Sequence, residues 1–282
     1  MAKQATMKIW NVELGLAVHI KAPNGKYIVI DLGSTESLSP LQSLRWSEVG
    51  FMVITHPHLD HFSDIENINC AKPDMLWRCN SFTRAELLEG ARVSDQNKII
   101  QYCDFVESYN RSITPNESPC LGNFFDGLTA QCFATSGCNK NNKNNFSAIV
   151  VIQLGNAKVV VCGDNEKESF EILMDNPNFQ KAVQNAYVLV APHHGRESGY
   201  YKDFVSLVNP YITIISDTRN VGTSASAKYS EKSQGWNVYN GATKEYSKRY
   251  CLTTRQDGNI EVVFGESYDP RYPGYLEVNS NQ

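Results

Sequence analysis

Three apolar runs in this chain each end on an aspartate or a histidine, and that repeated ending constrains the fold more than any other feature. They are "FMVITH" up to His56, "VVVCGD" up to Asp164 and "YVLVAPHH" up to the pair His193-His194. Short apolar runs bounded by turn residues read as buried strands. A buried strand delivers the side chains at its end to a fixed place, so three such strands can bring polar groups together from distant parts of the sequence. The densest ending is "VITHPHLDHFSDI", residues 53 to 65, which holds three of the six histidines. His56, His58, Asp60 and His61 form H-x-H-x-D-H.

Around these runs the pattern is that of an α/β chain. "MKIWNV", "LAVHIKAP" and "YIVIDLG" read as strands, the last two joined by Asn24-Gly25, residues that tolerate the positive φ of a tight hairpin. "PDMLWR" reads as a polar connection, "TRAELLEGAR" and "SDQNKIIQYCDFVESYN" as helices, and "CNKNNKNNFS" as a surface loop. Two buried strands follow, joined by a Gly-Asn turn in "SAIVVIQLGNAKVVVCGDNE"; then a helix interrupted near Pro177, the strands "YVLVAP" and "YITIISD", and a hairpin around Asp257-Gly258 before an aromatic, polar tail. Strands in both halves with helices between them predict sheets in the middle and helices outside, in a single domain over 1–282. Residues 62–131 exceed what the motifs require and are expected to form a helical insertion that caps the site.

The chain has 282 residues, 41% of them hydrophobic, enough for one substantial core. No stretch approaches the roughly 20 apolar residues of a membrane-spanning helix, and none has the length of a signal peptide, so no membrane association and a cytoplasmic location are expected. Eight cysteines without a C-x-x-C pair are expected as free thiols. A net charge of −4 argues against broad adhesion to nucleic acid but leaves room for a local basic groove.

Imidazoles two residues apart at a strand end can share one metal ion, and Asp60 with His61 would then face a second ion nearby. Imidazole nitrogen with carboxylate oxygen suits Zn, Mn or Fe, and two such ions can clamp a bridging hydroxide. A chance H-x-H-x-D-H at this histidine frequency is on the order of one in ten thousand, so metal ligation is favoured over exposed or core histidines. Taken alone, Asp164 reads first as a turn-forming or helix-capping aspartate. The pair His193-His194 reads first as metal ligands.

Asp31 in "IVIDLGS", the cluster "THPHLDH", "VVVCGDNE" and "APHHGRES", in this order and spacing, resemble the metallo-β-lactamase fold superfamily. The greatest likeness is to the hydrolase domain of the ComEC competence-protein family, with D-V-G-Q-G-D-A, D-x-G, H-x-H-x-D-H, N-x-x-S, G-D, P-H-H-G and a late I-S strand. Here "NVELGLA" stands at the first of these, "NNFS" at the fourth and "IIS", ending at Ser216, at the last. The likeness runs from about residue 8 to residue 264. It implies a four-layer αββα sandwich with two divalent metal ions, Zn2+ or Mn2+. His56 and His58 would hold the first ion; Asp60 and His61 the second; Asp164 both; and either His193 or His194 would complete the second site. Asp60 and His194 would also act in catalysis, and Asp31 would order the surrounding loops through hydrogen bonds.

Two departures from the pattern stand out. No histidine lies between His61 and His193, where many superfamily members place a further ligand, so the first ion keeps His56, His58 and Asp164, with Ser136, Cys138 or Asn145 as candidates to fill in. In the first motif Asn11, Glu13 and Leu16 replace Asp, Gly and Asp. The implied activity is metal-dependent hydrolysis, with single-stranded DNA or a nucleotide phosphodiester as substrate; Arg78, Lys140, Lys143 and Arg196 are candidate phosphate contacts and Tyr200, Tyr201 and Trp236 candidate base-stacking residues. The alternatives are hydrolysis of a lactone, thioester or β-lactam, and a non-catalytic module that binds a nucleotide or a partner protein. The intact cluster together with Asp164 speaks against the last.

Overall fold

Alternation sets the first strand, β1 (Gln4–Ile9), where Ala5, Met7 and Ile9 point into the core while Gln4, Thr6 and Lys8 are half-buried. This is the period of two that a strand imposes on its side chains. The computed structural model describes residues 2–45, 47–218 and 225–281. After β1 come β2 (Val18–Lys21), β3 (Tyr27–Ile30), β4 (Val49–Ile54) and β5 (Met75–Arg78), with α1 (Arg84–Leu88) and α2 (Val93–Ser108) after them. The middle of the chain supplies β6 (Thr129–Phe133), β7 (Ile149–Leu154), β8 (Ala157–Val161), α3 (Lys167–Met174), α4 (Pro177–Val183), β9 (Val188–Val190), α5 (Lys202–Val208) and β10 (Ile212–Ile215). The last part holds α6 (Ser226–Lys232), β11 (Trp236–Asn240), β12 (Glu245–Arg249), β13 (Cys251–Thr253), α7 (Thr254–Asp257), β14 (Ile260–Gly265) and β15 (Tyr275–Ser280).

Among the described residues these strands form a nine-stranded sheet, β12-β11-β15-β14-β1-β2-β3-β4-β5, and a six-stranded sheet, β13-β10-β9-β8-β7-β6. Ile9, Val53, Val150, Val161 and Phe264 belong to one apolar cluster between the sheets. Met52 and Ile54, on the opposite face of β4 from Val53, join Phe62, Ile99 and Tyr102 under α2. Val160 and Leu189 similarly meet Phe170, Phe179, Phe204 and Tyr229 under α3 to α6. The result is the four-layer αββα sandwich. β4 is buried at all six positions because both of its faces are covered.

Parallel pairing positions the site. β3 pairs with β4 in parallel, and β8, β9 and β10 run parallel to one another. Parallel neighbours end at the same edge, where loops can converge. Asp31 follows β3, His56 follows β4, Asp164 follows β8, the His193-His194 pair follows β9 and Ser216 follows β10.

Three local expectations give way. "PDMLWR" contains β5, an edge strand paired with β4 in parallel, with Met75 buried and its neighbours half-exposed. The residues flanking Asp257-Gly258 are not a hairpin: β13 joins the six-stranded sheet and β14 the nine-stranded one, with α7 between them. The polar tail includes β15, which pairs antiparallel with β14 and buries Leu276 and Val278. The Asn24-Gly25 hairpin between β2 and β3 and the break at Pro177 between α3 and α4 are as expected.

Residues 62–131 supply β5 and the α1–α2 pair that covers the outer face of the nine-stranded sheet. The junction between the two helices reaches a cavity it shares with His58. All eight cysteines are free, and no helix among the described residues is long and apolar enough to cross a membrane.

Phe264 is fully buried between the sheets. Phe264→Ala is expected to lower unfolding free energy by about 3–5 kcal/mol, measured by urea denaturation.

Candidate metal centre

The site is built outward from a carboxylate that water does not reach. Asp31 is fully buried, and it accepts from Thr55 N at 2.7 Å, from Thr55 Oγ1 at 2.7 Å and from His61 Nδ1 at 2.6 Å. Burial pushes its carboxyl pKa up, and His61 and Thr55 act against that shift. Its own N–H donates to Val53 O on β4, while Leu32 N donates to His61 O, both at 2.8 Å. One residue thus ties the end of β3 to the loop that follows β4.

These bonds also fix how the histidines face. Thr55 Oγ1 has one proton, which goes to Asp31, so at 3.2 Å it accepts from His56 Nδ1 and leaves His56 Nε2 with its lone pair toward the site. His61 Nδ1 is held by Asp31, and His194 Nδ1 donates to Ser216 O at 3.1 Å. In each ring an outer nitrogen is anchored and an inner one faces the centre, an arrangement typical of metal-ligating histidine. The inner Nε2 atoms of His61 and His194 are buried without a hydrogen-bond partner.

Around those nitrogens the carboxylates close in. His61 Nε2 lies 3.1 Å from Asp164 Oδ1 and 3.9 Å from Asp60 Oδ2; His194 Nε2 lies 3.4 Å from both Asp60 Oδ2 and Asp164 Oδ2. One donor atom from each of Asp60, His61, Asp164 and His194 falls within 4.8 Å of the others. His56 Nε2 is 3.9 Å from Asp164 Oδ2 and 3.0 Å from His58 Nδ1. Two nitrogens sharing one tetrahedral ion at ~2.0–2.1 Å would stand roughly 3.3 Å apart. Orphaned imidazole nitrogens beside carboxylate oxygens fit a divalent metal.

The adjacent histidines separate by role. His194 joins the cluster. His193 turns its Nδ1 to Glu166 Oε1 at 2.8 Å and Ser198 Oγ at 2.9 Å, with its Nε2 4.0 Å from Asp164 Oδ2 and 3.3 Å from Arg196 Nη1. The His193 bond, together with Asn144 and Asn142, lowers the Glu166 carboxyl to about 2 against its burial.

Charge in the centre is strongly coupled. Burial opposes the charge on His61, yet Asp164, Asp31 and Asp60 outweigh it and hold its pKa well above the usual histidine range. The same contest, with Asp164 foremost, raises His194 to about 9. Burial also opposes ionisation of Asp60 and Asp164, but the flanking histidines hold both carboxyls below their ordinary range. Burial and the charge on His61 lower the pKa of His56 and His58. Without a cation, the carboxylates therefore keep protons on His61 and His194 that a metal would displace.

The N-terminal loop supports the centre through its backbone. Gly15, at φ 113°, lies so close to the Asp60 carbonyl that a Cβ would stand 2.1 Å from that oxygen, and Gly15 O accepts from Ser216 Oγ at 2.7 Å. Glu13 is exposed and Leu16 is buried, and the loop meets Asp60 and Ser216 through the main chain of Gly15. In "NNFS", Ser147 Oγ accepts from Asp164 N at 3.0 Å.

Of the candidates to fill the first site, Ser136 is exposed, Cys138 is buried near Glu168, and Asn145 spends its side chain on Glu166 N and Glu168 Oε2. Arg78 donates to Val106 O and Tyr109 O at the end of α2, and Lys140 pairs with Glu86. Arg196 lines a cavity of about 520 Å³ with His58, Asp60, Asp164, His193 and His194. Tyr201 stacks on Phe170, Tyr200 meets Tyr229 edge-on, and Trp236 sits against Tyr211. Sequence reasoning gave no role to Thr55, Asn144, Glu166 or Ser198; Thr55 and Glu166 had a signal in lying within two residues of a predicted ligand, and Asn144 in opening the motif "NNFS".

Asp31→Ala would leave His61 Nδ1 and both Thr55 donors buried without an acceptor. A loss of about 3–5 kcal/mol is expected, measured by denaturant unfolding of chelator-treated protein. The pKa of His194, raised from its ordinary 6.5 to about 9 in the fold, contributes stability that is complete below about pH 6.5. That contribution disappears as pH rises through about 9. Chelator-treated protein should therefore melt at progressively lower temperature from pH 6.5 to 9.5, and metal-loaded protein should lose less.

Residues 11–91 match the sequence model of the metallo-beta-lactamase superfamily. No curated protein matches the chain. Among solved structures it is similar to the metallo-beta-lactamase fold protein YhfI from Bacillus subtilis, at 11% identity and a TM-score of 0.49, covering 91% of this chain and 99% of that one. It is also similar to a putative Zn-dependent hydrolase of the superfamily from Thermotoga maritima, at 13% identity and a TM-score of 0.43, covering 88% and 97%. A third is Zn2+-bound PqqB from Methylobacterium extorquens, at 10% identity and a TM-score of 0.39, covering 72% and 76%. The stretch matched by that model, residues 11–91, contains Asp31, His56, His58, Asp60 and His61.

Proposed function

We propose that the chain is a metal-dependent phosphodiesterase or nuclease acting on single-stranded DNA or a nucleotide. In this reading His56 and His58 hold one divalent ion, Zn2+ or Mn2+; Asp60, His61 and His194 hold another; and Asp164 serves both. The observation that carries it is the convergence of the buried Nε2 atoms of His61 and His194 on the Asp164 carboxylate beside an open cavity.

Divalent ions held there supply a nucleophile from water at neutral pH and take up charge that develops on a phosphoryl oxygen. The chain's own residues do the rest. Asp60, the most exposed of the clustered carboxylates, lines the cavity beside His194 and meets whatever enters. His193, anchored through Nδ1 by Glu166 and Ser198, presents Nε2 on the same wall.

Arg196 favours a phosphodiester over a lactone or thioester. Arg196 lines the cavity with its Nη1 3.3 Å from His193 Nε2, and although its charge also acts on Asp217, it puts a positive charge on the wall that an anionic substrate would meet. Lys143 lines the neighbouring cavity on the His58 side. The two cations flank the cluster, as a backbone bearing successive phosphates requires. The motif order shared with the competence-protein hydrolase domain points the same way.

The test is to strip the protein of metal, restore Mn2+ or Zn2+, and assay single-stranded DNA, bis-p-nitrophenyl phosphate and a lactone panel. Phosphodiester cleavage should return with metal, and His58→Ala and Asp164→Ala should each reduce it on the order of 10²–10³-fold, as for loss of an electrostatic stabiliser. Cleavage that survives both substitutions, or turnover of lactones alone, would overturn the proposal.

A further inference from the structure

We infer that Asn144 supplies, through its side-chain oxygen, the ligand that this chain otherwise lacks at the ion held by His56 and His58. The inference rests on the two-ion reading above and goes beyond it in naming the residue that stands where the sequence offers no histidine.

The turn Lys143–Phe146 flanks His58 on both sides. Asn144 lines one cavity with His58 and Asp164, and Lys143 lines the next with His58. The turn is anchored at Glu166, which accepts from Asn142 Nδ2 at 2.9 Å and from Asn144 Nδ2 at 3.1 Å, while Asn144 N donates to Asn142 Oδ1 at 3.2 Å. An ionised carboxylate only accepts, so Glu166 fixes which end of the Asn144 amide is nitrogen; that nitrogen also lies 3.5 Å from His193 Nε2, and the oxygen is left over. That oxygen, Oδ1, is buried and has no hydrogen-bond partner. A buried, unpaired acceptor is rare enough to call for a missing donor or ion. The neighbouring Asn145 cannot serve, because both ends of its amide are already bonded.

A neutral carboxamide oxygen is a harder donor than the imidazole it would replace. It should shift the first site toward Mn2+ and away from Zn2+ relative to a three-histidine site.

The test is calorimetric titration of the metal-free full chain with Mn2+ and with Zn2+, with the metal content after desalting as a second measure. Neither needs a substrate. Wild type should show two sites. In Asn144→Ala one site should weaken by about tenfold or more, a typical cost of disturbing a metal site, and the other should be unchanged.

Asn144→Asp separates ligation from scaffolding, since it keeps the oxygen and discards the nitrogen that bonds Glu166. It should hold the weaker ion at least as tightly as wild type. A wild-type isotherm in Asn144→Ala would overturn the inference, and so would an Asn144→Asp variant that behaves like Asn144→Ala. A single site in wild type would instead sink the two-ion reading, visible before any variant is made.

Discussion

A buried carboxylate must find donors, and at Asp31 that requirement organises everything around it. Its oxygens are satisfied by Thr55 and His61, residues six apart that straddle the histidine cluster. Because Thr55 spends its proton on Asp31, the tautomer of His56 is settled. Because His61 spends Nδ1 there too, its other nitrogen must face the centre. The orientation of two of the cluster's imidazoles thus follows from satisfying one group that touches neither Asp164 nor the cavity.

The two sheets meet this arrangement from opposite sides at the ends of their parallel strands. Contact is close enough to exclude side chains at key points. A Cβ on Gly163, at φ 55°, would stand 2.9 Å from the side chain of Thr55, so the glycine before Asp164 lets the end of β8 abut the end of β4. Ala148 N donates to Thr55 O at 3.0 Å and His193 N to Gly163 O at 2.9 Å, so the centre's loops are stitched by main chain as well as by side chain. The N-terminal loop is stitched in the same way, with Gly15 packed on the Asp60 carbonyl and its own carbonyl accepting from Ser216 Oγ.

Much of this was legible in the sequence wherever a local signal was strong. Apolar runs ending on His56, Asp164 and His193-His194 marked both the strands and the side chains they deliver, Asp31 entered through the family likeness, and the Asn24-Gly25 and Pro177 signals marked a turn and a break. What the sequence hid was long-range. β5 is a half-exposed edge strand whose identity depends on β4 beside it, and β13 and β14 look like a hairpin because nothing local says that they enter different sheets. The choice between His193 and His194 is likewise invisible in a dipeptide. It is made by Ser216 on one side and by Glu166 and Ser198 on the other.

That dipeptide has a further consequence. His193 and His194 sit at φ 47° and 52° in succession, a left-handed conformation that costs roughly 1–2 kcal/mol per residue for an L-amino acid. The backbone does not adopt it unaided; the bonds each ring makes must hold it there. Two identical neighbours are thereby committed to different partners, Glu166 and Ser198 for His193 and Ser216 for His194, and neither can take over from the other. An exchange of their duties would require the loop itself to refold, so these adjacent histidines are redundant in spelling and not in substance.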